Sequence, residues 1–170
     1  MSQVSMLYVF SGLPGTGKST LAAALAQARN ALYLRVDTIE QALKNSTGQK
    51  VGPEGYEIAY ALAAENLSIG AEVVADSVNP LEVTRAAWRQ AAVSSKCAFI
   101  ELEIICSDTK EHRHRIETRK ATVKGLKLPT WQQVIAREYD EWIGGTIVID
   151  TAGKTTEQSI HKMFDVLGLS

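Results

Sequence analysis

The residues best able to do chemistry lie at 12–20, GLPGTGKST, where Gly12, Gly17, Lys18 and Ser19 satisfy the pattern GxxxxGK[ST]. Glycines let a backbone curl until successive N–H groups converge on phosphate oxygens, and the amino end of a following helix adds about half a positive charge. Gly12, Gly15, Thr16, Gly17, Lys18, Ser19 and Thr20 are therefore expected to cradle ATP or GTP. Lys18 is expected to reach the β- and γ-phosphates, and the Ser19 hydroxyl to ligate Mg²⁺.

Two carboxylates follow short apolar runs, Asp37 after LYLRV and Asp76 after EVVAD. In an open parallel sheet, ligands sit beyond the carboxyl ends of the strands, so both acids are expected to face the phosphate loop. Asp76 is assigned to the metal beside Ser19, and Asp37 to the base that takes the proton of an attacking hydroxyl. Capping of the next helix is the competing role for Asp37. Residues 109–127 hold seven of the 18 Lys and Arg with only Glu111 and Glu117 as acids, leaving the rest of the chain with 11 basic and 17 acidic residues. Arg115 and Arg119, four apart on an expected helix from Asp108 with His112 on the same side, could close over the triphosphate. A solvated helix face is the plainer reading of the same charges.

These residues need a scaffold, and the chain supplies one. Apolar runs at 6–10, 32–36, 72–76, 99–105 and 146–150 alternate with helical patterns, which predicts a parallel sheet with helices on both faces. Leu21, Leu25 and Ala28 repeat at helical spacing after the first run, as do Ile160, Met163, Phe164 and Leu167 after the last. Asn79 before Pro80 reads as a helix start, while Thr130 with Gln133 and Thr155 with Gln158 have capping-box spacing. A polar stretch at 45–53 leads into an expected helix from Glu54 to about Ile69, and together they read as an insertion at about 45–70. The segment at about 108–128 reads as a lid. No repeat or linker divides residues 1–170, so one domain is expected.

With 45% hydrophobic and 22% charged residues, the chain lies far from disordered or fibrous compositions. No apolar run approaches the ~20 residues that span a bilayer, and MSQVSMLYVF lacks a basic signal region, so a cytoplasmic protein without membrane attachment is expected. Cys97 and Cys106 read as reduced core thiols. The net charge of −1 hides the asymmetry at 109–127, and a concentrated basic segment in an otherwise acidic chain suggests a local anion site more than a nucleic-acid surface, so a small-molecule acceptor is the expected partner. Monomer and homodimer remain equally open.

Nearly the whole chain resembles the small P-loop kinases grouped with zeta toxins, polynucleotide 5′-hydroxyl kinases and gluconate-kinase-like enzymes. The resemblance rests on SGLPGTGKSTLA at 11–22, VDTIE around Asp37, VVADSVNP at 73–80 followed by Arg85, and CSDTKEHRHRIETR at 106–119. LPTW at 128–131 and EYDEW at 138–142 look like a subgroup characterised only as ATP-binding proteins of the AAA family. The resemblance implies a three-layer α/β/α P-loop NTPase fold with a five-stranded parallel sheet of order 2-3-1-4-5 and a helical lid. It also implies ATP with Mg²⁺, a base at Asp37, lid arginines at Arg115 and Arg119, and an adenine near 151–153.

Polynucleotide kinases resembling this chain carry an arginine three residues after the base, where Glu40 stands here. An acid there predicts a neutral or cationic acceptor. Asn79, Arg85, Tyr56 and Tyr60 join Asp37 and Glu40 as candidate acceptor contacts, against capping, ion pairing with Glu82 and packing as structural roles. Trp131 and Trp142 read as core cover. The sequence DTAG at 150–153 suggests a GTPase switch, but no NKxD occurs anywhere in the chain. A kinase acting on a hydroxyl is thus the expected function, with a non-catalytic ATP-binding regulatory module as the alternative.

Overall fold

A computed structural model describes residues 5–169; residues 1–4 and 170, the ends of the expected domain, lie outside the described residues. Five strands, β1 (Met6–Ser11), β2 (Leu32–Arg35), β3 (Val73–Asp76), β4 (Ala98–Ile105) and β5 (Ile147–Asp150), form one sheet in the order β2-β3-β1-β4-β5. All neighbouring pairs are parallel, with Phe10 opposite Asp76 and Arg35 opposite Asp76 in register. The carboxyl ends of β1, β2 and β3 therefore lie level, which is what brings the phosphate loop and the acids to one rim.

Alternation along β1 divides the core. Leu7 and Val9 point to one face and pack with Ala59, Ala63 and Leu67 of α3 (Glu54–Ser68) and Trp88 and Ala92 of α4 (Glu82–Ser94). Tyr8 and Phe10 point to the other face, against Leu21, Ala22, Leu25 and Ala26 of α1 (Lys18–Arg29) and Met163 of α7 (Thr156–Leu167). Both faces of the central strand are dry, as three-layer packing of a parallel sheet requires. Ala28 is exposed, so the buried stripe of α1 runs through Ala22 and Ala26 instead.

Both expected capping boxes are present, Thr130–Gln133 opening the short α6 (Trp131–Ile135) and Thr155–Gln158 opening α7. Helix α2 (Val36–Thr47) begins one residue before Asp37, with Arg35 at the N-cap. Asp37 thus lies in the first turn rather than at a strand end, where the helix dipole favours its charge. Of the expected insertion, 45–47 is the end of α2, and α3 ends near Gly70 as its glycine predicts. Both cysteines are free thiols. Among the described residues, no helix is long and apolar enough to cross a membrane.

Candidate active site

The loop from Gly12 to Gly17 connects β1 to α1, and two of its glycines are sterically required. A Cβ on Gly12, at φ 146°, would lie 2.3 Å from the carbonyl oxygen of Ile104. One on Gly15, at φ 81°, would meet Ile116 Cδ1 at 2.6 Å. Gly12 and Thr16 are buried supports rather than cavity walls. Gly12 N–H donates to Val78 O at 3.1 Å, and Thr16 Oγ1 donates to Leu13 O at 3.0 Å. Gly15, Gly17, Lys18, Ser19 and Thr20 line a cavity of about 870 Å³.

Lys18 Nζ donates to Asp76 Oδ1 at 2.6 Å, and Tyr33 Oη donates to Oδ2 at 2.6 Å. Burial raises the Asp76 carboxyl, but the Lys18 charge and hydrogen bonds from Lys18, Tyr33 and Ser19 together outweigh it and hold it below the ordinary carboxylate range. Desolvation, reinforced by the Asp76 charge, pushes the Tyr33 hydroxyl well above its ordinary range, so it stays a donor. Nothing in the LYLRV run marked Tyr33 as more than a strand residue; only its outward alternation toward α1 could have suggested the contact.

Across the cavity stand Asp37, Glu40 and Tyr56, with Arg35 between the two sets of acids. Arg35 Nη2 lies 3.9 Å from Asp37 Oδ2, Arg35 Nε lies 3.9 Å from Asp76 Oδ2, and Nη1 donates to Thr122 Oγ1 at 2.8 Å. Burial and the nearby Asp37 charge hold the Glu40 carboxyl above its usual range, and Arg137 acts in the opposite direction. The charge that was expected to repel anions therefore has a cation facing it, brought by the end of α6 from almost a hundred residues away in sequence.

Helix α5 (Thr109–Thr118) starts at Asp108, whose carboxylate accepts from Lys110 N and Glu111 N. Arg115 Nη1 donates to Thr151 Oγ1 at 2.8 Å and Nη2 to Thr151 O at 3.0 Å, while Glu111 accepts from Gly153 N at 2.8 Å. These bonds tie α5 to the 151–153 loop. The helix ends at Thr118, so Arg119 leaves it in extended conformation and does not share the Arg115 face by helical spacing. Both arginines nevertheless line the cavity. His112 turns away from it: Nε2 lies 2.8 Å from Pro14 O, and the ring meets Trp131 edge-on at 5.2 Å.

Asn79 and Arg85 are not cavity residues. Asn79 is buried at φ 50° with Nδ2 donating to Ser11 Oγ at 2.8 Å, so α4 starts three residues later and Asn79 instead braces the root of the phosphate loop. Arg85 is fully buried, donating to the carbonyls of Asn79, Pro80, Asp140 and Glu141 and lying 3.9 Å from the Trp142 ring centroid. Glu82 pairs with Arg89 instead. Tyr60 packs edge-on against Trp88 at 4.7 Å, whereas Tyr56 lines the cavity and accepts from Asn79 N at 3.1 Å. Thr151 and Lys154 line the cavity at its α7 side, where the resemblance put the adenine.

This sheet order, with a glycine loop wrapping the start of α1 and an acid from β3 on its lysine, defines a P-loop protein of the α/β/α kind. The sequence pattern of the AAA_33 family, an AAA domain, matches residues 7–137, and the chain belongs to that family. No curated protein matches it in sequence. Among solved structures, the Mycobacterium tuberculosis APS kinase CysC in complex with AMPPNP and APS is 18% identical, with 97% of this chain and 98% of that one covered at a TM-score of 0.72. A gluconokinase from Sinorhizobium meliloti 1021 is 19% identical over 98% of this chain and 93% of its own, with a TM-score of 0.63. Chaetomium thermophilum Kti12 in complex with ADP-AlF3 is 19% identical over 94% and 97%, with a TM-score of 0.66. These likenesses show the fold shared with P-loop kinases.

Proposed function

We propose that this protein transfers the γ-phosphoryl group of Mg-ATP to a hydroxyl of a small-molecule acceptor. The observation that carries the reading is that one cavity is lined by the phosphate loop, by an acceptor-side carboxylate, Asp37, and by Arg115 and Arg119. A pure nucleotide switch needs the first of these and not the second. The family match and the fold shared with kinases support the same reading.

In this account Lys18 turns from Asp76 toward the β- and γ-phosphates while the loop N–H groups and the α1 amino end hold the triphosphate. Ser19 and Asp76 fit Mg²⁺, because both are hard oxygen donors and Asp76 is held ionised. The cation supplies charge neutralisation on the phosphates when bound. Asp37 takes the acceptor proton as the hydroxyl attacks the phosphorus, and ADP leaves with the electron pair of the broken bond. Arg115 and Arg119 stabilise charge on the phosphoryl group and, with segment 108–128 acting as a lid, keep out competing water. Residues 1–170 act as one kinase-like domain, the α2–α3 hairpin forming the acceptor wall.

The test is incubation of the purified protein with ATP, Mg²⁺ and a pooled metabolite extract, followed by mass spectrometry. A compound gaining one phosphate with the wild type but not with Lys18→Ala supports the reading. Absence of any phosphorylated product across sugars, nucleosides, aminoglycosides and oligonucleotides contradicts it in favour of a binding module.

A further inference from the structure

Two guanidinium groups line the same cavity from different elements, and neither donates a hydrogen bond to a carboxylate there. Arg35 comes from the end of β2, and its Nε is buried with no hydrogen-bond partner. Its two carboxylate neighbours are both at 3.9 Å, beyond hydrogen-bonding distance. Arg119 comes from the segment after α5, and its Nε is likewise buried and unpartnered. Among the described residues its guanidinium makes no ion pair and no side-chain hydrogen bond. Burial strips water from it, the Asp37 charge offsets part of that cost, and the positive charge of Arg35 adds to it. With Asp37 as the near counter-charge of both and each Nε buried without a partner, the two guanidinium groups keep hydrogen-bonding capacity that an added oxyanion would fill.

The surroundings sharpen the sign. Lys120, Lys127 and Arg137 line the same cavity, against the acids Asp37 and Glu40. Lys18 has Asp76 as its partner and Arg115 is bound to Thr151 and Glu111, so the surplus positive charge sits with Arg35, Arg119 and the residues after them. Guanidinium forks match the oxygens of a tetrahedral anion, which a lone ammonium does less well. Arg35 also holds Thr122 at 2.8 Å, so the same side chain that offers charge fastens the segment that delivers Arg119.

We propose that Arg35 and Arg119 form a binding site for a phosphoryl oxyanion on the acceptor side of the cavity, assembled when the segment after α5 is fastened through Arg35 to Thr122. This deepens the phosphotransferase reading and rests on it for the source of the phosphate, either the γ-phosphoryl group of ATP or a phosphate borne by the acceptor. Where the acceptor bears the phosphate, the site takes the place of the neutral or cationic acceptor expected from Glu40.

Calorimetric titration of the full chain with inorganic phosphate tests it, in the absence of nucleotide and again with saturating Mg-ADP, which occupies the loop. With Mg-ADP the wild type takes up one phosphate. Arg35→Gln and Arg119→Gln each weaken that binding at least about tenfold. Arg35→Lys retains part of it, and Arg113→Gln, altering an exposed arginine paired with Glu117, leaves it unchanged. Substituting a non-hydrolysable ATP analogue for Mg-ADP separates the sources. Loss of phosphate binding assigns the pair to the γ-phosphoryl group, and retention assigns it to the acceptor. If Mg-ADP does not bind, the nucleotide reading fails, yet the nucleotide-free titration still reads the pair as one fewer phosphate in Arg35→Gln. Equal phosphate binding by wild type, Arg35→Gln and Arg119→Gln overturns the proposal.

Discussion

Lys18 and Asp76 form a buried ion pair, Nζ to Oδ1 2.6 Å, at the point where the phosphate loop meets the end of β3. The pair keeps the carboxylate charged. Lys18→Ala leaves Asp76 almost without solvent and without its main counter-charge, so the variant is expected to lose roughly 3–5 kcal/mol of stability at neutral pH in addition to nucleotide binding. Asp76 is held below its ordinary range, so the stability it contributes is present above the unfolded carboxylate value and is lost as pH falls through its folded value. The difference between wild type and Lys18→Ala should therefore shrink as pH is lowered toward the carboxylate range. Denaturant unfolding at several pH values reads this directly; a pH-independent difference would contradict the pair's role.

Asp37→Asn preserves the shape of the first turn of α2 and removes only the basic oxygen. Mg-ATP affinity should change no more than about twofold, while acceptor phosphorylation drops ~10² to 10⁴-fold. Single-turnover kinetics beside equilibrium binding separates the two effects, and unchanged turnover would remove Asp37 from the base assignment.

Glu40 carries its charge against burial and against Asp37, with Arg137 only partly offsetting them. A carboxyl raised in the folded state binds its proton more readily there than in the unfolded chain, so folding gains stability as pH falls toward the raised value. Glu40→Gln is accordingly expected to raise Tm at neutral pH, with the gain fading in acid. A lower Tm at neutral pH would show that the Arg137 interaction outweighs desolvation.

Arg85 acts through the segments it joins. Arg85→Ala removes a buried cation from four backbone carbonyls and from the Trp142 face, and is expected to cost about 3 kcal/mol or more. Mg-ATP affinity of the folded fraction should be close to that of the wild type. A variant of normal stability that has lost only acceptor affinity would return Arg85 to the site.

The sheet was legible because four of the five strands lie in short apolar runs that meet a glycine or an aspartate at their carboxyl ends, namely Gly12, Asp37, Asp76 and Asp150, and because the loop at 12–20 marks the strand that opens onto the crevice. Capping at Thr130 and Thr155 was legible for the same reason, being encoded within four residues. Tyr33, Arg35 and Arg137 were not, since their significance lies in partners 43, 87 and about a hundred positions away, namely Asp76, Thr122 and Glu40. Asn79 and Arg85 misled in the opposite sense. Polar residues just past the acid of β3 look like acceptor contacts, but the apolar packing of α4 and the return of residues 139–142 bury them. The spacing of Arg115 and Arg119 suggested one helical face, whereas the helix stops between them and the cavity gathers both through loop geometry.

The most direct measurement is calorimetric titration of the wild type and of Lys18→Ala with Mg-ATP and Mg-GTP. The account predicts one nucleotide per chain for the wild type, with ATP bound, and no measurable binding by Lys18→Ala at the same concentrations. Failure of the wild type to bind either nucleotide, or equal binding by Lys18→Ala, would contradict it.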